Sequence, residues 1–341
     1  MVKRIRALGI LAVIVGIGVL SIVPATNLFH RASAGRRILA DFHQTMSPAG
    51  LVYLRRNFGV IHDFGTQFVD ETVPALQHQL GLTTTSMDHL LAQSFPAVWK
   101  GVQEIPAALA FVGPVIPRIE AIGSDYKSVS DIPGLGLPLE SVSWLVLLLG
   151  TAVVIVGVGA VVRPSRLTAA AVATMGVLMV AVPLALNLPG KFDAGSRVIP
   201  VGRIALSQHA ATAAETTTRI VDRLVSQVDR SMIPALAARL HETPAAFSHS
   251  LALNFPAVAS GLAHWPQIRS GGYALAAAQQ DSVQPFRDLD GLPFKALPWF
   301  VIGPGLLLAL LALAGARLGA APPPAARHRT TIRERERELV S

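Results

Sequence analysis

The chain has 341 residues, of which 51% are hydrophobic and 15% charged, with a mean hydropathy of +0.49, a formal net charge of +8 and no cysteine. This balance excludes an ordinary water-soluble globular domain, and the missing cysteines exclude disulfide scaffolds and thiol nucleophiles. The positive charge clusters at a few short segments, so it speaks for membrane orientation and not for nucleic-acid binding.

The first element is an apolar stretch at 7–29, preceded by Lys3, Arg4 and Arg6. It is about the 20 residues that a helix needs to cross a hydrocarbon core, so 1–29 reads as a cytoplasmic N-terminus and a first span. Ala32-Ser33-Ala34 would suit a signal-peptide cleavage site, but the apolar run exceeds a normal signal core and the expectation is that it is retained. An outer helical domain is expected at 30–141. There Ile61, Phe64, Phe68, Leu76 and Leu80 recur on one helical face, Ser47-Pro48 reads as an N-cap, Pro74 as a kink and Phe95-Pro96 as a break. Gly136-Leu137-Pro138 reads as an extended connector back to the membrane.

A second span is expected at 142–162, a cytoplasmic turn with Arg163 and Arg166 at 163–168, and a third span at 169–188. A second outer helical domain follows at 189–298, with Val221, Leu224, Val228, Met232, Leu236 and Leu240 as its apolar face. Thr243-Pro244 repeats the N-cap signal, Pro234 the kink, Phe255-Pro256 the break and Gly291-Leu292-Pro293 the connector. The last span is expected at 299–318 and a charged cytoplasmic tail at 319–341. Trp144 and Trp299 open the second and fourth spans as interfacial anchors. Glycine pairs inside the spans, Gly16/Gly18 and Gly157/Gly159, suit close helix approach in lipid. No segment shows the strict alternation of a strand, so the expected fold is all-α.

The two halves resemble each other. Residues 73–106 align without a gap on 233–266, with 14 of 34 positions identical, among them Pro74-Ala75-Leu76 with Pro234-Ala235-Leu236 and Phe95-Pro96-Ala97-Val98 with Phe255-Pro256-Ala257-Val258. Such a match at a spacing of 160 implies tandem duplication of a span–domain–span unit, both halves facing the same way. The flanks of the spans carry 11 positive and three negative charges, whereas the two large segments carry 18 of each sign. The positive-inside rule therefore places both termini in the cytoplasm and both large segments outside.

Chemical signatures are sparse. The sequence lacks H-E-x-x-H, G-x-S-x-G and phosphate-loop motifs, and the span centres hold no ionisable residue, which disfavours an ion-coupled carrier. Of the ten histidines only His89 and His249 match across the halves, too few for a metal site by themselves. No catalytic, cofactor or metal residue is assigned. The expected function is a non-enzymatic plasma-membrane protein whose outer helical domains serve protein interaction or assembly in a bacterial envelope. Its partners would be membrane lipids and a protein or a second copy, with no nucleic acid. The alternative is a carrier of a lipid or other hydrophobic solute through a groove between the halves. The residues expected at the interface or groove are Phe58, Phe64, Phe68, His89, Phe95, His249 and Phe255. The enrichment of arginine (24) over lysine (5) suggests a GC-rich bacterial source. The four-span plan is superficially like that of claudins and tetraspanins, but their cysteine motifs are absent and nothing transfers from them.

Overall fold

A computed structural model describes residues 2–130 and 140–319. The expected Gly136-Leu137-Pro138 connector and the tail from 320 onward lie outside the described residues. The protein is all-helical, at 88% helix, with no strand among the described residues.

The helices run in this order: α1 Val2–Ala25, α2 Leu28–Phe42, α3 Pro48–Gln67, α4 Val73–Gln79, α5 Thr84–Ser94, α6 Pro96–Val112, α7 Val115–Ala121, α8 Gly123–Ser130, α9 Glu140–Val162, α10 Arg166–Ala185, α11 Leu188–Ala205, α12 Gln208–Gln227, α13 Ile233–Arg239, α14 Pro244–Asn254, α15 Pro256–Asp290 and α16 Trp299–Gly319. The chain divides into two units. One comprises Met1–Leu28, Val142–Pro189 and Ala296–Ser341, and the other Phe29–Ser141 and Gly190–Lys295.

The first unit holds the apolar helices. Three helices, Val2–Ala25, Ser141–Val162 and Arg166–Ala185, are long and apolar enough to cross a membrane, and Trp299–Ala314 is a shorter apolar helix. α1 ends four residues before the end of the span expected at 7–29, and α10 three residues before the end of that expected at 169–188. Asn27 and Asn187 take φ of 48° and 50° there, a left-handed conformation that asparagine tolerates and that stops an α-helix, and a new helix starts at the next residue. The turn between α9 and α10 is only three residues long, and α10 opens with a capping box. Thr168 N donates to Ser165 Oγ (3.2 Å) and Ser165 N donates to Thr168 Oγ1 (3.0 Å).

The buried side of α1 reads Ile5, Gly9, Ala12, Gly16, Val19 and Val23, and that of α10 reads Val172, Gly176, Met179 and Pro183. Steps of four and three alternate, which is the 3.5-residue period of helices packed along a left-handed seam. Glycine sets the closeness of that seam. A Cβ on Gly16 would stand 3.0 Å from Gly150 O, and one on Gly176 would stand 2.9 Å from Gly305 O. Gly18 and Gly159 face open space and take no part. The outward side is apolar too, with Ile10, Ile14, Ile17, Leu148, Ile155 and Leu310 exposed, a surface suited to lipid.

The second unit is built around one core shared by both of its segments, so the segments at 30–141 and 189–298 do not fold as separate bodies. Three of its elements have bounds 160 residues apart, α3 with α12, α4 with α13 and α5 with α14, and α5 and α14 are both followed by a proline-started helix. α3 and α12 start at N-caps Ser47 and Ser207, and α5 and α14 at Thr83 and Thr243. Ser47-Pro48 and Thr243-Pro244 thus begin non-equivalent helices. The anticipated break at Phe95 and Phe255 is present, at φ/ψ of −135°/59° and −133°/66°. Gly291 is in a turn, Leu292 and Pro293 have no regular structure, and a run of turns follows at 294–298, with Phe294 N donating to Leu292 O.

Downstream of the break the segments differ. α15 runs unbroken for 35 residues, whereas the matching stretch is cut into α6, α7 and α8 at Gly113-Pro114 and Ile122-Gly123. The second segment has Tyr273-Ala274 and Ser282-Val283 at these places, without the Gly-Pro and Gly of the first segment, and its helix continues through the interior Pro266 and Pro285. The pair Pro96–Ala121 and Gly123–Ser130, bent by 52°, has a composition compatible with a broken span, yet Val98 and Ile105 bury its inner face in the core of the second unit.

Candidate functional site

Proline chemistry places the residues at the centre of the second unit. Pro74 and Pro234 have no N–H and would press on the carbonyl four residues back, so the helix widens by one residue into a π-turn at Phe68–Thr72 and Val228–Met232. Val73 N then donates to Phe68 O and Ile233 N to Val228 O, and the helix continues. Gln67 and Gln227 are the last residues before these turns.

Both glutamines reach into the other segment. Gln67 Oε1 accepts from Ala257 N (2.8 Å) and Val258 N (3.2 Å), and Gln227 Oε1 accepts from Ala97 N (2.7 Å) and Val98 N (3.0 Å). The N-cap residues of α15 and α6 are Phe255 and Phe95, whose side chains cannot accept a hydrogen bond. Each first turn therefore has orphan N–H groups, and the opposite segment supplies the acceptor. The same helices carry glycine seats. Gly101 receives Leu224, and a Cβ on Gly261 would lie 2.5 Å from the Phe64 ring.

The expected interface residues separate into two groups. Phe64, Phe68 and Phe95 are buried in the shared core, Phe64 and Phe68 stack with ring centroids 5.7 Å apart, and Phe255 is half-buried against that core. Phe58 is half-buried and tilts against His62. Phe64, Phe68, Phe95 and Phe255 thus take part in one packed core. The cavity bounded by Val60, Phe64, Val221, Val225 and Trp265 measures about 10 Å³, room for at most one water. His89 and His249 lie exposed on α5 and α14. Among the described residues no group of three or more His, Asp or Glu could hold a metal ion.

A polar cluster unforeseen from sequence belongs to the second segment alone. Asp222 accepts from Trp265 Nε1 (3.0 Å), Tyr273 OH (3.3 Å) and Arg269 Nε (3.1 Å). Burial, followed by the Asp222 charge, pushes the Tyr273 hydroxyl above its ordinary range. The positions 160 residues earlier are His62, Ile105, Gly113 and Leu109, so the first segment cannot build this cluster. Near α2 and α8, Tyr126 OH donates to Leu39 O (2.7 Å), and burial, with Asp41 nearby, raises its pKa.

Further ion pairs cross between the segments at their outer helices. Arg197 on α11 holds Asp125 on α8 through two bonds, Nε to Oδ2 (3.0 Å) and Nη2 to Oδ1 (2.8 Å), and also reaches Asp193. His30 pairs with Asp288 at 3.0 Å, and Ser282 Oγ donates to Asp41 Oδ2 at 3.2 Å. The Arg197 hydrogen bond holds the Asp125 carboxyl below its ordinary range.

No family model, no curated protein and no solved structure matches this chain.

Proposed function

We propose that the chain is a tandemly duplicated, four-span protein of a bacterial plasma membrane, with α16 as the fourth span and both termini in the cytoplasm. Its two outer segments form a non-enzymatic helical unit that binds another protein or a second copy in the cell envelope. The observation that carries this reading is the division of labour between the two units. Apolar helices with apolar outward faces suit lipid, while most of the chain is invested in a closed helical core whose polar groups serve its own caps and ion pairs. The charge distribution supports the orientation, since 11 of the 29 basic residues flank the spans on the side read as cytoplasmic.

The alternative, a carrier of a lipid or other hydrophobic solute, needs an apolar groove between the segments. The phenylalanines expected to line it are occupied in packing, so the interaction reading ranks first. Native mass spectrometry of the protein purified in mild detergent separates the readings. The interaction reading expects particles heavier than one 36.0 kDa chain, containing a second protein or a second copy. A lone chain retaining lipid supports the carrier, and a lone bare chain contradicts both.

A further inference from the structure

The two faces that meet in the second unit are related, but they are not interchangeable. Phe64 sits on Gly261, whereas its counterpart Leu224 sits on Gly101. Gly65 has no side chain, and Ile105 fills the place where a Cβ would stand, 2.7 Å from its Cγ2. The counterparts of Gly65 and Ile105 are Val225 and Trp265, and the indole of Trp265 is tied to Asp222. In the two pairs that cross the interface, Phe64 with Gly261 and Leu224 with Gly101, a large residue thus meets a glycine. Arg197 also finds Asp125 in the other half, while the residue matching Asp125 in its own half is Pro285.

From this we infer that the two halves of the chain are each other's dedicated partner. First-with-second pairing is favoured over pairing with the like half of a second copy. The inference rests on the proposed reading of the chain as two related halves. Two first halves together would press Phe64 onto Gly101, a seat shaped around leucine, and would leave the space occupied by Trp265 unfilled. Two second halves would set Leu224 on Gly261, a seat shaped around a phenyl ring, while Arg197 faced proline. Neither arrangement keeps both the packing and the ion pair. A second copy that binds the protein must then do so through a surface outside this core.

The test keeps the full chain. A protease site inserted after Arg163, in the turn between α9 and α10, allows the purified protein to be cut into two halves in mild detergent. Two preparations with different tags on the first half are cut, mixed and captured through one tag. The expected result is co-elution of first and second halves, with no first half bearing the other tag in the captured fraction. Separation of the halves on gel filtration, or capture of first-with-first pairs, would overturn the inference. Paired Gln67→Ala and Gln227→Ala changes remove both cross-caps and are expected to speed exchange of second halves roughly ten-fold. Gly261→Leu, which collides with Phe64, is expected to release the halves outright. If neither variant exchanges faster than the unaltered cut protein, the apolar helices alone hold the halves and the inference fails. Absence of an external partner would count against the proposed function but leave this result untouched.

Discussion

Gln67 and Gln227 each satisfy two backbone donors that phenylalanine N-caps leave open, so their contribution is that of a helix cap delivered from the opposite segment. Replacing either by alanine is expected to cost about 1 kcal/mol, read as a lower midpoint in thermal unfolding. Gln67→Glu keeps the acceptor and adds a negative charge at a helix N-terminus, so it should retain most of the stability at pH 7. A loss as large as that of Gln67→Ala would contradict the capping role. Asp125 gives a pH signature of known sign. Its folded pKa lies below the ordinary value of 3.8, so its contribution is fully present above that pH and is lost as the pH falls through the folded pKa. Asp125→Asn should therefore flatten the acid limb of the stability curve, and an unchanged limb would count against the Arg197 pair. The glutamines lie 160 residues apart, just upstream of the aligned stretch, but no local pattern says that an amide reaches across a tertiary interface. The Asp222 cluster was hidden for the same reason, since its members lie on α12 and α15, up to 51 residues apart.

At the scale of elements, the apolar faces, the caps at Ser47 and Thr243 and the breaks at Phe95 and Phe255 were legible because each follows from local period or backbone chemistry. The outcome at Pro74 and Pro234 was not, because a kink and a π-turn both relieve a missing N–H, and packing selects between them. The helices before the next loops, α4 and α13, close with the same Schellman bonds. Leu82 N donates to Gln77 O, and Glu242 N donates to Ala237 O. The left-handed residue is Gly81 (φ 64°) in one and His241 (φ 58°) in the other. Only histidine carries a steric cost there, so His241→Gly is expected to stabilise the protein by about 1 kcal/mol. A lower unfolding midpoint would show that the His241 side chain contributes more than its backbone costs. In the apolar unit, a Cβ on Gly305 would stand 2.6 Å from that of Met179. Gly305→Leu should therefore force α10 and α16 apart, read as loss of the folded protein in detergent, whereas Gly303→Leu, at a glycine with open space around it, should not.

At the scale of the molecule, hydropathy announced the apolar helices, and the bounds of α3, α4 and α5 lie 160 residues before those of α12, α13 and α14. Whether the two large segments interlock or fold singly was left open by the sequence, because side chains such as Phe64 and Leu224 pack equally well into their own segment or a neighbour's on the evidence of period alone. The helix ends moved for a plainer reason, as hydropathy does not register the turn that Asn27 and Asn187 impose. The account depends on both outer segments lying on one side of a membrane, joined by a short cytoplasmic turn. Because the chain has no cysteine, single cysteines placed at the exposed positions Thr85 and Ala245 can be labelled selectively in intact cells with a membrane-impermeant maleimide. The expected result is labelling of both sites without permeabilisation and protection of a third cysteine placed at Arg163. Labelling of Thr85→Cys and Ala245→Cys from opposite sides would contradict the account.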